Sequence, residues 1–401
     1  MRYTLIDLRY KALLPLTFTR PVSHLRVGMD RIIDKWQRHL SAKPEICTAG
    51  HLGEKFPCGP AEEGIYINSS VIPDAALAEK IQNLPKGMLL TSRSEAVAMH
   101  CTAEQARIIS EQVNLMEHPD LKPMADERIV YPEALTFIER PADIFTHNGD
   151  IFLQDYAQIT GNRRTLDFPK GVTTVGKDIY IEEGAVLRPC FINAETGPVY
   201  ICAGAEVMEG VMIRGPLFLG PDSSLKMGAK IYGPTTIGAS CKVGGEVNNS
   251  IIDDFSNKGH DGFLGNSVIG SWCNLGADTN VSNLKNNYSP IRVWDYETEE
   301  QTETGLQFHG LIMGDHSKAG INTMLNTGTV VGMSCNIYGG GFPQKFIPSF
   351  SWGSEKGFID YDYDKACQTA EAMMSRRGVP FTETDRKLFE AVFEHDAGWR
   401  P

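Results

Sequence analysis

The sequence predicts an α/β domain at the N-terminus, then a left-handed parallel β-helix of hexapeptide repeats, then C-terminal helices. Three observations carry this reading. An aliphatic residue recurs at every sixth position over a long stretch, glycine often follows it, and residues 1–135 show a different, mixed pattern.

The period is the strongest signal. Ile201, Val207, Ile213, Leu219, Leu225, Ile231, Ile237 and Val243 fill eight consecutive slots. With aliphatic usage of roughly one-third, chance gives such a run about once in a few thousand trials. The same spacing precedes it at Val175, Ile181 and Leu187. It returns at Phe263, Ile269, Leu275 and Val281, and again at Met313, Ala319, Leu325, Val331 and Ile337. Six matches neither the 3.6 of an α-helix nor the 2 of a strand. It matches a coil with three short faces per turn, each aiming one aliphatic at the axis. Glycines after the aliphatic, such as Gly220, Gly238, Gly276 and Gly320, are expected at corners that need positive φ. The register slips by two residues between Leu187 and Ile201, and again between Val243 and Phe263. The polar stretch 283–310 cannot line an axis and is expected to protrude as a functional loop.

Around the coil, residues 1–135 combine apolar runs (3–8, 65–67) with helical patterns (27–39, 75–81, 104–115), as in an α/β domain. Residues 136–170 read as a connector in which Pro141 opens a new turn. The β-helix is expected over 171–352 and a helical tail over 353–401. Two amphipathic segments fall in that tail, at 362–376 and 382–395, the second opened by the cap signal Thr382 to Asp385.

A chain of 401 residues suits two domains, or one domain and an elongated repeat. Its net charge of −12 speaks against a general nucleic-acid binder but leaves room for a local phosphate pocket. The nine cysteines are odd in number and form no CxxC pair, which suits reduced thiols in a cytosol. No signal-peptide core and no membrane-length apolar run is present, so a soluble cytoplasmic protein is expected.

Chemistry concentrates in 257–284, NKGHDGFLGNSVIGSWCNLGADTNVSNL. Lys258, Gly259, His260, Phe263, Gly265, Asn266, Ile269 and Gly270 are followed by Asn274, Gly276, Ala277, Thr279 and Asn283. This run resembles the acetyltransferase half of the bifunctional UDP-N-acetylglucosamine pyrophosphorylase/glucosamine-1-phosphate N-acetyltransferases. The later GDHSKAGINTMLNTGTVVG, 314–332, is similar to the archaeal-type members. The resemblance covers about residues 171–340. It implies that His260 is the general base for attack of a sugar amine on acetyl-CoA, a role that suits an imidazole. It also implies that Asn274 and Asn283 hold the sugar. Ala277, with Gly320 and Ile321, would line the pantetheine arm or the oxyanion. A groove between two coils is expected to set His260 beside Asn274 and Asn283, and a homotrimer is implied, with sites between neighbouring coils.

Departures from the pattern bear on the acceptor. Phe263 stands where the family has tyrosine, and the phosphate-gripping Arg and Lys fall near Tyr232 and Asn248, neither charged. Lys226, Lys230, Lys242 or Lys285 are the available substitutes.

The N-terminal stretch 13–36, LLPLTFTRPVSHLRVGMDRIIDKW, resembles the opening of sugar-phosphate nucleotidyltransferases and the divergent group sharing LPLTFTRP. There the glycines that approach nucleotide phosphates are replaced by 6–11, IDLRYK, and the usual lysine by Val22. Lys11, Arg20 and Arg26 are the candidates for neutralising a nucleoside triphosphate, and Asp74 for helping hold Mg²⁺. The implied enzyme is a sugar-phosphate N-acetyltransferase coupled to a sugar-1-phosphate nucleotidyltransferase in nucleotide-sugar and cell-wall synthesis. Two alternatives stand: a nucleotidyltransferase with a structural coil, and a non-catalytic nucleotide-sugar-binding trimer.

Overall fold

The structure, a computed structural model, describes residues 1–161 and 163–400. Asn162, within the expected connector, and Pro401, the last residue of the expected tail, lie outside the described residues. The chain divides into two compact units: Met1–Arg26 with Asp30–Arg140, and Val27–Met29 with Pro141–Pro401.

The first unit is built on a six-stranded sheet. Its order is Glu45–Cys47, Tyr3–Ile6, Gly64–Asn68, Glu95–Cys101, Met88–Ser92, Glu127–Val130. Tyr3–Ile6 runs parallel to both neighbours, with Leu5 opposite Ile46 and Ile67. Gly64–Asn68 is buried at every position, as its continuous apolar run requires of a strand covered on both faces. Helices α1 (Ile32–Leu40), α2 (Ala75–Gln82) and α3 (Ala103–Asn114) complete the unit. A capping box between Thr102 and Gln105 fixes the start of α3, whose Ile109 and Val113 pack on Ile6, Tyr66 and Met99.

The second unit is a parallel three-faced β-helix. The first face runs through six strands, from Thr173–Val175 to Phe263–Gly265. The second runs through nine, from Ile179–Ile181 to Phe346–Ile347, and the third begins at Val186–Leu187. All eight aliphatics from Ile201 to Val243 point inward and are at most 2% exposed. They form one continuous core with Leu264, Ile269, Leu275 and the later repeats.

Three sequence expectations change. Phe263 was counted in the inward register, but Leu264 fills that slot with no exposure, and Phe263 lies on the outer surface of the first face. Gly220 and Gly276 allow close coil stacking and do not have positive φ. A Cβ on Gly220 would sit 2.5 Å from the Gly238 carbonyl oxygen, and one on Gly276 2.6 Å from the Gly320 carbonyl carbon. Positive φ falls two residues later, on Asp222, Trp272, His316 and Ser334. The 283–310 excursion, finally, does not simply protrude. Its hairpin, Arg292–Asp295 with Glu300–Glu303, folds back so that the Trp294 ring stacks on Phe346 at 4.2 Å.

Helix α4 (Pro141–Thr160) covers part of the second face, packing Phe152 and Tyr156 on Tyr200, Phe218 and Met29. Gly28, at φ +66°, donates its N–H to Asn148 at 2.7 Å, and a side chain there would collide with Asp155. The tail forms α5 (Tyr363–Ser375) and α6 (Glu383–His395), the latter opened by a Thr382–Asp385 capping box. Phe389 of α6 packs edge-on against His316. Among the described residues no helix is long and apolar enough to cross a membrane.

Candidate functional site

The coil geometry sorts the candidate residues by corner and face. After Asn257–Lys258 on the third face, residues 259–262 turn the corner to Phe263–Gly265 on the first. His260 is exposed on that corner. The turn above it holds Ala277, and the next holds Gly320 and Ile321. Asp278 N–H donates to the Asp261 carbonyl at 3.1 Å and Asn322 N–H to the Ala277 carbonyl at 2.8 Å, so the turns stack in a column. Ile321 is 69% exposed there, an apolar side chain on an open ridge. The corner therefore gathers an imidazole, backbone amides and an apolar strip.

The first face adds Phe263, whose N–H donates to the Asn280 carboxamide at 2.9 Å. Asn248 lies beside it in the ladder, opposite Gly265 and Tyr232. A Cβ on Gly265 would sit 2.7 Å from both the Phe263 ring tip and Asn283 Nδ2. The glycine thus leaves the space in which these two side chains meet.

Other candidates lie apart. Asn274 is on the third face, paired in the ladder with Asn257 and Lys318. Asn283 leaves the coil at the far corner of the first face, with Phe263 between it and His260. His260 is on the corner between the third and first faces, Asn274 on the third face, and Asn283 two residues past the first-face strand Asn280–Val281. Lys285 bends into its own loop, donating to the Pro290 carbonyl at 2.6 Å.

A groove of about 410 Å³ lies on the first face, lined among others by Asn193, Met212, Arg214, Lys230, Tyr232 and Glu246. Tyr232 donates its hydroxyl to Glu246 at 2.6 Å. Arg214 escaped the sequence reading. Its signal was available: it occupies the outward position next to inward Ile213, one coil below Tyr232. The ladder runs Lys230, Glu246, Phe263, so Lys230 lies two rungs, about 10 Å, from Phe263, and Arg214 one rung further.

In the first unit, Lys11 is exposed at the start of a short 3₁₀ turn, and Arg20 and Arg26 are half-buried. Arg20, Arg31 and Lys43 bear on His24, whose pKa falls to about 3 through burial and these cations. At the end of the first strand, where the family has its glycine loop, Asp7 is buried. It accepts from Val22 N–H at 3.1 Å and Thr48 Oγ at 2.5 Å, and burial raises its pKa to about 6. Asp74 is committed elsewhere: its carboxylate caps α2, accepting from Leu77 N–H at 2.7 Å. Among the described residues no group of three His, Cys, Asp or Glu side chains could hold a metal.

Fold and site together define a hexapeptide-repeat protein carrying an α/β unit ahead of its coil. Residues 6–164 match the family described as sugar nucleotidyl transferase. The bifunctional protein GlmU of Synechococcus elongatus is 26% identical over 200 residues, 46% of this chain and 40% of that protein. A bifunctional sugar-1-phosphate nucleotidylyltransferase/acetyltransferase of Sulfurisphaera tokodaii is 30% identical over 150 residues, 36% of each. Among solved structures, the polySia-specific acetyltransferase NeuO aligns with 52% of this chain and 99% of its own, at 14% identity and a TM-score of 0.29. The chain is thus similar to several bifunctional GlmU proteins and to a bifunctional sugar-1-phosphate nucleotidylyltransferase/acetyltransferase. It spans about two-fifths of the length of the curated relatives it matches.

Proposed function

We propose that the second unit transfers an acetyl group from acetyl-CoA to the amine of an amino-sugar phosphate, with His260 as general base. The observation that carries this is the corner column on which His260, Ala277, Gly320 and Ile321 stack beside Phe263. Pantetheine would lie along the ridge at Ile321, and the sugar across Phe263. The amine nitrogen attacks the thioester carbon while the imidazole takes its proton. Backbone N–H groups near Ala277 hold the oxyanion. The carbon–sulfur bond then breaks, and the CoA thiolate leaves with the proton held by His260.

Lys230, two rungs from Phe263, and Arg214, one rung further along the groove, would meet the sugar phosphate in place of the family's missing cations. The proposed active form is a homotrimer in which Asn274 and Asn283 hold the sugar between neighbouring coils. Acetyl-CoA and nucleotide as substrates, together with nine cysteines in thiol form, fit a reducing cytoplasm. The test is release of free CoA when the protein is given acetyl-CoA and a panel of amino-sugar 1-phosphates.

For the first unit, attachment of a nucleotide to the sugar phosphate follows from the family match, with Lys11, Arg20 and Arg26 toward the triphosphate. A second reading has one observation in its favour. Asp7 puts a buried carboxylate where the glycine loop would cradle phosphates, which suits a unit that binds a nucleotide sugar without turning it over. Pyrophosphate release from UTP or dTTP with a sugar 1-phosphate separates the two.

A further inference from the structure

Eight successive strands of the third face each turn one residue inward: Leu187, Val207, Leu225, Val243, then Lys258, then Leu275, Ala319 and Ile337. Seven are apolar. Lys258 alone carries a charge into the axis, 2% exposed, directly above Val243. An aliphatic would fill this slot without the cost of taking an ammonium out of water, so the lysine needs a reason.

Its contacts supply one. Nζ donates to the Gly244 carbonyl at 3.1 Å and to the His260 carbonyl at 3.0 Å. These oxygens belong to successive turns of one corner, so the ammonium stitches the His260 turn to the coil below. The turn is tight on that side: a Cβ on Gly245 would sit 2.8 Å from the His260 carbonyl oxygen. A carbonyl held toward the lysine leaves the imidazole of the same residue directed outward, onto the ridge it shares with Ala277 and Ile321. Without the ammonium, that carbonyl would face an apolar interior unpaired. Rotating the peptide to recover water would carry the imidazole with it.

We propose that Lys258 is a positioning residue that fixes His260 for proton transfer by anchoring its backbone carbonyl from inside the coil. Desolvation holds the lysine pKa down at about 8, and Asp261, Asp278 and Glu246 are the acidic groups that keep it from falling further. The kinetic part of the proposal rests on the acyl-transfer reading; the structural part does not.

The test compares full-length wild type, K258M and H260A. Methionine fills the aliphatic slot, so K258M folds and melts within a few degrees of wild type. Amides of residues 259–262 should exchange at least about tenfold faster in K258M, with other coils unchanged. Its kcat for acetyl transfer should fall at least about thirtyfold, while KM for acetyl-CoA moves less than threefold. A K258M that cannot fold, unchanged exchange in 259–262, or a kcat within threefold of wild type each overturns the proposal. If wild type transfers no acetyl group, the acyl-transfer reading fails alone, and the exchange comparison still decides whether Lys258 anchors the turn.

Discussion

Asn283 donates its side-chain amide to the Asn266 side-chain oxygen, one coil below, at 2.8 Å. The residue that begins the long excursion is thereby held by the preceding turn, with its amide at the edge of the Phe263 surface. N266A removes that acceptor and frees Asn283 without touching the inward core. One side-chain hydrogen bond contributes about 1 kcal/mol, so KM for the amino-sugar acceptor should rise about fivefold. Steady-state kinetics with acetyl-CoA saturating checks this, and an unchanged KM removes Asn283 from the acceptor site.

Gly265 gives a sharper handle on the same surface. The atoms nearest its added Cβ are the far ends of Phe263 and Asn283, both side chains that can move, so G265A should keep its fold. The two side chains must then separate, and acceptor KM should rise about tenfold while KM for acetyl-CoA stays put. Equal loss against both substrates would point to a general disturbance of the coil.

Arg214 and Lys230 should discriminate by charge. A charge-assisted contact to phosphate is about twice as strong as a neutral one, of order 2 kcal/mol. R214A should therefore raise KM for a phosphorylated amino sugar at least about tenfold. The corresponding unphosphorylated sugar should be used equally by wild type and variant. Kinetics on the matched pair of acceptors decides it.

Much of this was legible in the sequence, for a physical reason. A coil that buries one side chain in six must show the period, and Ile201 through Val243 showed it without a gap. The missed features are those a search for aliphatics cannot see. Lys258 sits inward in the stretch where the period seemed to slip after Val243, and Leu264 was passed over for the larger Phe263. Arg214 becomes visible only once the inward register is used to place its outward neighbours, as the position after Ile213 does.

Lys258 also sets a pH dependence. Its pKa is about 8 in the fold against 10.5 for an ordinary lysine. Below pH 8 both folded and unfolded chains hold the proton, and the fold carries the cost of burying the charge. Between about 8 and 10.5 the unfolded chain binds the proton and the folded one does not, so stability rises with pH by up to about 1.4 kcal/mol per unit. Wild type should therefore gain on K258M as pH goes from 7.5 to 9.5, read as the difference of their melting temperatures. A difference that stays flat or moves the other way would mean that the lysine is not desolvated.

The central claim is that the corner bearing His260 is where acetyl transfer takes place. It is tested most directly by the rate of CoA release from acetyl-CoA with the best amino-sugar 1-phosphate, wild type against H260A. The account predicts turnover by wild type and a loss of at least about a hundredfold in kcat for H260A, with the variant still folded and trimeric. An H260A enzyme within threefold of wild type, or a wild type that releases no CoA with any acceptor in the panel, would contradict it.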